Sequence, residues 1–450
     1  MKRSSDMDMI HGHLAGKLVR FAIPIAFSSM LQQLFNAADT SVVGHFTDAN
    51  ALAAVGTNGE IVALLVTLAS GLAVGTNVLI ARMIGEKNTG TISEAVHTSV
   101  ALALLLGVAG MVIGWFTAGL LLAMIRTPEE VFDAAVLYLK IYYAGYPFLM
   151  LYNFGSAILR AKGDSKRPFL ALTLSGILNI VLNLFFVAVC ALGVAGVAAA
   201  TSISTAFSAA MVLFWLFKES GEFRLSFHQL WFHGESVRFI FMTGIPAAVQ
   251  GAVFCFANIF VQASVNSFGA IAAAGSTIAM NFEYFGYYMI TAFGQAATTF
   301  TSQNFAAGQK KRCLRIVWIC LLFSMVLSAV ITVFLTVRRE DTSAFFTSDQ
   351  AVIQAACLRI MLILAFEPVC SFYEIPAGVM RGMGHSALPA VLTVVGTCFL
   401  RIVWIFTVFA HVRTQESLFV IFPVSWVVTI ILMGVGFLYI WKKESHEKKF

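Results

Sequence analysis

Long apolar stretches alternate with short polar ones along the chain, and this pattern predicts membrane-spanning helices. Residues 168–217 contain no Asp, Glu, Lys, Arg or His, a run about twice the roughly 20 residues that one helix needs to cross a bilayer. A window of about 19 residues predicts twelve spans. Their approximate centres are residues 30, 65, 104, 145, 178, 206, 250, 288, 325, 363, 398 and 429. The pattern therefore predicts an all-α polytopic membrane protein.

The second half of the sequence repeats the first at an offset near 220. The segment SAILRAKGDSKRP lines up with AGVMRGMGHSALP, which pairs Gly163 with Gly384. Each half contains six predicted spans, and an even number makes both halves enter the membrane the same way up. We predict two six-helix bundles related by a parallel pseudo-two-fold repeat, with an N-terminal lobe at 1–220 and a C-terminal lobe at 221–450.

Composition and charge exclude several classes of protein. The chain is 59% hydrophobic and 12% charged, whereas soluble chains carry roughly 25% charged residues. The net charge of +6 is spread over short loops instead of a basic domain, so we expect no nucleic-acid partner. The 7 cysteines show no metal-ligand or CxxC spacing, and no glycine-rich loop of the ATP-binding type occurs. We expect no cofactor.

The positions of Lys and Arg predict the orientation in the membrane. One set of loops and ends holds Lys2, Arg3, Lys17, Arg20, Arg82, Lys87, Arg160, Lys162, Lys166, Arg167, Lys218, Arg224, Arg238, Lys310, Lys311, Arg312, Arg315, Arg381, Lys442, Lys443, Lys448 and Lys449. The opposite loops hold only Arg126, Arg338, Arg339 and Arg413. The positive-inside rule then predicts a multi-pass protein of the plasma (inner) membrane with both termini in the cytoplasm.

The first span carries a polar stripe. Asn36 and Asp39 fall at helical spacing, and Gln33 lies beside them. An ionisable group at bilayer depth costs at least about 2.5 kcal/mol, so Asp39 is a candidate functional residue. Asn179 and Asn183 are four residues apart and share one helix face. A carboxylate among amide oxygens binds Na+ or holds a proton, and the alternative is that these groups only form hydrogen bonds between helices.

Three further intramembrane carboxylates, together with Gln33, are candidates for lining a substrate cleft. They are Glu60 on the second span, Glu283 on the eighth and Glu374 on the tenth. Each is chemically able to bind a cationic compound or a proton. Glu60 and Glu283 occupy corresponding spans of the two halves, which favours a shared cleft. Buried salt bridges are the competing interpretation.

Charged and kinked positions inside the spans have structural interpretations as well. We expect Lys140, Arg359 and Arg401 to reach the membrane interface or to pair with the buried acids rather than to act on a substrate. Pro24 falls inside the first span, where proline removes a backbone hydrogen bond. Our hypothesis is that the first helix bends at Pro24 when Asp39 is protonated, and the alternative is a static kink.

In order along twelve repeated spans, several motifs resemble the multidrug and toxic compound extrusion (MATE) family. The first helix has Pro24 followed by NAADTSVVGHF from Asn36, and the end of the eighth has FGQAATTFTSQNFAAGQKKR from Phe293. Two Arg-x-x-Gly loops, at Arg160 and Arg381, complete the resemblance. It covers nearly the whole chain and implies a transporter, not an enzyme. An intramembrane enzyme would need paired carboxylates, a nucleophile with its base or a His metal pair, and the predicted spans show none.

The resemblance implies an antiporter that exports organic, often cationic, amphipathic compounds by rocker-switch alternating access, driven by inward flow of H+ or Na+. One branch of the family binds its coupling cation at positions that correspond here to Asp39, Asn153, Asn179, Asn183 and Thr201. That branch has a carboxylate in place of Asn183, so the site here would hold one charge instead of two. No metal is expected beyond Na+ at this site, and the choice between H+ and Na+ stays open.

Another branch uses carboxylates on the seventh and tenth helices. The seventh span here has none, and the tenth has Glu367 and Glu374. An alternative function within the same wider superfamily is a flippase for lipid-linked saccharides, against which the acid-bearing spans argue. We expect the partners to be small organic molecules and the lipid bilayer, and we expect a monomer.

Overall fold

Twelve long helical segments lie at the twelve predicted positions. The structure is a computed structural model that describes residues 7–47 and 49–446, and no strand occurs in this part of the chain. The segments are Leu14–Phe46 (α1), Asn50–Glu86 (α2), Thr89–Met124 (α3), Glu129–Lys162 (α4), Lys166–Val189 (α5), Gly193–Phe217 (α6), Gly234–Asn266 (α7), Ala270–Ala306 (α8), Lys310–Val337 (α9), Gln350–Gly382 (α10), Ala387–His411 (α11) and Gln415–His446 (α12). Short helical turns lie at Gly221–Phe223, Phe227–Gln229 and Arg339–Ala344. The prediction of an all-α polytopic fold is confirmed.

Among the described residues, 11 helices are long and apolar enough to cross a membrane. The remaining long segment, α8, has 37 residues but is more polar. It carries Asn281 and Glu283, and its last turns at 298–304 contain six buried polar side chains around Phe300. The sequence repeat nevertheless makes α8 the counterpart of α2. Of the basic residues used to predict the orientation, the following lie outside the described residues: Lys2, Arg3, Lys448 and Lys449.

A turn at Asn58 interrupts α2, and three other segments contain a π- or 3₁₀-helical stretch. The last turn of α5 is a π-helix at Leu184–Val189, and α11 contains another at Val394–Phe399. In α10 a 3₁₀ stretch at Leu364–Cys370 contains Pro368. By contrast, α1 continues as an α-helix through Pro24. Irregular turns of this kind redirect side chains within a span, and π-turns often occur at functional sites.

One compact unit comprises Phe27–Ala248 and the described residues up to Asp8. Its α3 and α4 pack closely because glycines of α3 face α4. A Cβ on Gly107 would lie 2.6 Å from the Cα of Pro147, and one on Gly114 would lie 2.1 Å from the ring of Tyr143. Small residues let membrane helices approach in this way without a side chain between them.

The other compact unit comprises Met9–Ala26 and the described chain from Val249 onward. Here α8 and α10 approach closely, since a Cβ on Gly378 would lie 2.5 Å from the carbonyl oxygen of Gly294. The hydroxyl of Thr298 donates to the Gly378 carbonyl at 3.0 Å and links the two helices. The lobes predicted at 1–220 and 221–450 stay a prediction.

The two halves end their fourth helices with the same turn. Gly163 and Gly384 both adopt the left-handed conformation, with φ of 105° and 92°. The amide of Gly163 donates to the Arg160 carbonyl at 2.9 Å, and the amide of Gly384 donates to the Arg381 carbonyl at the same distance. Glycine adopts this conformation without strain. The residues matched by sequence therefore adopt matching backbone geometry.

Candidate functional site

A chain of polar side chains joins α1, α5 and α6 within the first unit. The Asn183 amide nitrogen donates to Asp39 Oδ1 at 2.5 Å and to Asn179 Oδ1 at 3.3 Å. The amide nitrogen of Asn179 in turn donates to the Thr201 hydroxyl at 3.4 Å, and that hydroxyl donates to the Val197 carbonyl at 3.1 Å. Four of the five residues expected at a coupling site therefore lie together.

Local sequence explains how α1 reaches α5 at this point. Gly176, Asn179 and Asn183 share one face of α5 because they are three and four residues apart. A Cβ on Gly176 would lie 1.7 Å from the Phe35 ring of α1. Phe35 lies one helical turn before Asp39. The close approach of α1 and α5 at Gly176 therefore also brings the Asp39 carboxylate to Asn183.

Burial and hydrogen bonding decide what the cluster is able to do chemically. Asn183 is fully buried and Asn179 is 6% exposed. Asn183 Oδ1 accepts no hydrogen bond from the described residues. The cluster thus offers one carboxylate, amide oxygens and a hydroxyl, which are the oxygen ligands that a hard cation prefers. The same carboxylate is equally able to take up a proton.

Asn153, the fifth residue expected at the site, stands apart from this chain of hydrogen bonds. It lies on α4, is half-buried, and donates from its amide to the Leu149 carbonyl of its own helix at 2.9 Å. The sequence did not indicate a second residue of α4, the buried Tyr138, which interacts electrostatically with Asp39. The sequence held no signal for Tyr138, because it is one of 10 tyrosines and has an apolar ring typical of a core.

The candidate cleft residues have different surroundings. Glu60 is exposed on α2 and makes no hydrogen bond or ion pair with a described residue. Gln33 is half-buried on α1. In the second unit, Glu283 is held by Arg359 at 2.7 and 2.8 Å. The competing interpretation, a buried salt bridge, is therefore observed for Glu283.

Glu374 also has a basic partner. Its carboxylate accepts from Arg381 at 3.2 Å, and a second nitrogen of Arg381 donates to the side-chain oxygen of Gln250 at 3.3 Å. Nearby, Glu367 is 5% exposed, and its Oε2 has no hydrogen-bond partner among the described residues. Of these three carboxylates of α8 and α10, Glu283 and Glu374 are paired with arginines, whereas Glu367 lacks a direct ion pair.

The three basic residues within spans behave differently from one another. Lys140 lies with its ammonium 5.6 Å from the centre of the Trp115 ring. Arg359 is 3% exposed and also donates to Ser276 at 2.5 Å. Arg401 pairs with no acid in the part of the chain that the structure describes. The repeat relation between Lys140 and Arg359 thus does not extend to their contacts.

Comparison with known proteins identifies relatives along the whole chain. The family model MatE matches residues 24–185 and 246–407, once in each half. The probable multidrug resistance protein YoeA of Bacillus subtilis is 25% identical over 441 residues, covering 94% of each chain. The probable multidrug resistance protein NorM of Thermotoga maritima is 27% identical, covering 86% of this chain and 84% of its own.

Solved structures show the same fold. An outward-facing conformation of a multidrug resistance MATE family transporter of the MOP superfamily superimposes with a TM-score of 0.90 at 23% identity, covering 100% of both chains. A MOP superfamily transporter from Pyrococcus furiosus gives the same TM-score, identity and coverage. The chain therefore has the same fold as these solved structures.

Proposed function

The chain belongs to the MatE family of membrane transporters, and we propose that it exports organic, often cationic, amphipathic compounds by antiport against H+ or Na+. It is a multi-pass transporter and not an enzyme. The hydrogen bond between Asn183 and Asp39 is the observation that carries the proposal. This hydrogen bond gives Asp39, the one carboxylate on α1, a partner that is able to bind both the ionised and the protonated form of its side chain.

The amide of Asn183 supports a proton-coupled switch. An ionised Asp39 accepts from the Asn183 nitrogen, as in the structure. A protonated Asp39 carries a hydroxyl that needs an acceptor, and Asn183 Oδ1 is a buried oxygen without a donor among the described residues. Half a turn of the amide exchanges its nitrogen for its oxygen and satisfies the protonated acid. The neutral and charged states of Asp39 then differ in one side-chain rotation.

Sodium requires a different arrangement of the same residues. A sodium ion is bound by oxygen atoms, so the Asn183 amide would have to present its Oδ1 instead of its nitrogen. The ion would then lie beside Asp39, Asn179 and Thr201. The single carboxylate fully neutralises one monovalent cation. Whichever of the two ions is coupled, it would bind at this cluster, and Asp39 would be essential.

Movement of α1 is the proposed link to alternating access. Pro24 removes one backbone hydrogen bond of this helix, and bending there on protonation of Asp39 would move the half of α1 that carries the acid. We further propose that the protein acts as a monomer in the plasma membrane. The excess of Lys and Arg on one set of loops supports cytoplasmic termini.

Export of a fluorescent organic cation from proteoliposomes, under separately imposed pH and Na+ gradients, tests the proposal. Wild type is compared with Asp39→Asn and with Asp133→Asn, which makes the same chemical change at an exposed position of α4. Transport driven by a pH gradient and lost only in Asp39→Asn supports proton antiport, and dependence on Na+ alone supports sodium coordination. Full gradient-driven export by Asp39→Asn would refute the role of Asp39. No export under either gradient would favour the flippase.

A further inference from the structure

The interior of the second unit contains an arginine that no described carboxylate neutralises. Arg401, on α11, is 2% exposed. Its only hydrogen bond to a described residue runs from Nε to the Ser425 hydroxyl of α12, at 3.2 Å. A guanidinium has five N–H donors, so both terminal nitrogens of Arg401 are left without an acceptor in the described part of the chain.

Two buried acids of this unit, Glu283 and Glu374, are already paired with other arginines. Glu283 interacts electrostatically with Arg401, but it already forms two hydrogen bonds with Arg359. Glu374 pairs with Arg381. Leaving one ion of a pair alone in a protein interior is strongly destabilising. Charged residues that nevertheless occupy membrane interiors commonly belong to the path of a substrate or an ion.

The surroundings of Arg401 are aromatic as well as polar. The centre of its guanidinium lies 4.0 Å from the Phe422 ring centre and 5.8 Å from that of Phe254. The Ser425 hydroxyl donates to the Phe422 carbonyl at 2.8 Å and so turns its lone pairs toward Arg401. A cation with free parallel donors beside ring faces matches an aromatic carboxylate, because the planar fork of arginine binds both carboxylate oxygens.

We propose that Arg401 binds the carboxylate of aromatic amphipathic substrates, so that this transporter accepts zwitterionic and anionic compounds besides cations. The inference rests on the proposed export function and specifies its substrate class. In the absence of substrate, Arg401 has no carboxylate partner among the described residues. A bound carboxylate supplies its counter-charge and the acceptors for its terminal nitrogens.

Rhodamine B and its ethyl ester are the probes for this site, since they differ only in whether the benzoate is free. Binding to purified protein is measured by fluorescence anisotropy, without an ion gradient. We expect wild type to bind the free acid more tightly than the ester by roughly tenfold or more, because hydrogen bonds to charged groups are strong. Equal affinity of wild type for the two probes would overturn the proposal without any variant.

Variants then locate the preference. Arg401→Met is expected to weaken binding of the free acid by roughly ten- to a hundredfold and to leave the ester within about twofold. Arg401→Lys keeps the positive charge but lacks the planar guanidinium, so its affinity for the free acid should fall less than that of Arg401→Met. It replaces Arg401→Met in the experiment if that variant does not fold. Arg413→Met, which removes an exposed arginine, should bind both probes as wild type does. Equal losses for acid and ester in both Arg401 variants would make Arg401 structural.

Gradient-driven export of the ester separates this inference from the proposed function. The ester lacks the carboxylate, so its export reports antiport alone. If the ester is not exported while the free acid still depends on Arg401 for binding, the antiport proposal fails and the binding site stands. If the ester is exported and wild type does not distinguish the two dyes, the binding site fails and antiport stands.

Discussion

Arg359 holds Glu283 through two parallel hydrogen bonds, of 2.7 Å from Nε to Oε1 and 2.8 Å from Nη2 to Oε2. The arginine is almost fully buried, and a further nitrogen donates to Ser276. This two-pronged geometry is the strongest that an arginine and a carboxylate form. It fixes α10 to α8 near the point where α10 becomes a 3₁₀-helix.

Breaking this pair should destabilise the protein substantially. Glu283→Gln leaves the Arg359 charge buried without its partner, and we expect a loss of about 3–5 kcal/mol in the free energy of unfolding. Thermal unfolding in detergent measures it. The exposed pair of Arg338 and Asp341 provides the control, because Asp341→Asn should cost less than about 1 kcal/mol. Similar shifts for both variants would contradict the assignment.

Replacing Asn183 with aspartate should change the coupling ion. Asn183→Asp places a second carboxylate where the amide now lies 2.5 Å from Asp39. Two carboxylates at that distance repel unless they share a proton or a cation. We expect Na+-driven export to rise roughly tenfold relative to wild type, which corresponds to about 1.4 kcal/mol of cation binding. Asn153→Asp, outside the hydrogen-bonded chain, is the control and should not produce this gain.

Gly176 should be needed for the approach of α1 to α5. Gly176→Ala would drive a methyl group into the Phe35 ring, and overpacking of this kind costs about 1–3 kcal/mol. We expect lower thermal stability and weaker gradient-driven export, because Asp39 moves away from Asn183. Gly119→Ala, where a Cβ would meet nothing within 4 Å, should change neither. Wild-type export by Gly176→Ala would show that the close contact is dispensable.

The ion-pair cluster at Glu219 should make stability depend on pH. Lys162 and Arg167 donate to the Glu219 carboxylate at 2.6 and 2.5 Å. Burial alone would raise the pKa of Glu219, but these hydrogen bonds and charges outweigh it and hold the pKa below its ordinary value of 4.5. The stabilisation is therefore complete above about pH 4.5 and is lost as the pH falls through the lower folded-state pKa.

Glu219→Gln measures this contribution. The difference in unfolding temperature between wild type and variant should be constant near neutral pH and should shrink below the ordinary glutamate pKa. Glu222→Gln changes a glutamate outside the cluster, and its unfolding temperature should track that of wild type throughout. A wild-type advantage that grew on acidification would contradict the predicted direction.

The sequence predicted the twelve spans and the repeat because both can be recognised from apolar runs and matching motifs, without knowing how the helices pack. Apolar runs long enough to cross a bilayer have few alternative structures. Gly163 and Gly384 were matched by sequence because the same turn requires the same residue type twice. The grouping of Asp39 with Asn183 came from the family resemblance, whereas helical spacing alone had only put Asn179 and Asn183 on one face.

Other contacts depended on side-chain directions that no pattern encodes. Asn153 was expected at the site, but its amide turns back to its own helix. The matched residues Lys140 and Arg359 sit in equivalent spans, yet one meets a tryptophan ring and the other a glutamate. Lys87 ends α2 with a left-handed φ of 56°, a conformation in which glycine would be expected. The sequence pattern contains neither these side-chain directions nor this backbone conformation.

The π-helical turn at Leu184–Val189 begins at the residue after Asn183. A π-helical turn is closed over one residue more than an α-helical turn, so it is equivalent to a one-residue insertion in an α-helix. Losing a single residue there would restore a regular helix and rotate everything beyond it, while Asn179 and Asn183 kept their places. A chain that is one residue shorter at this point would therefore redirect the last turn of α5 and the start of α6 without moving the residues that face Asp39.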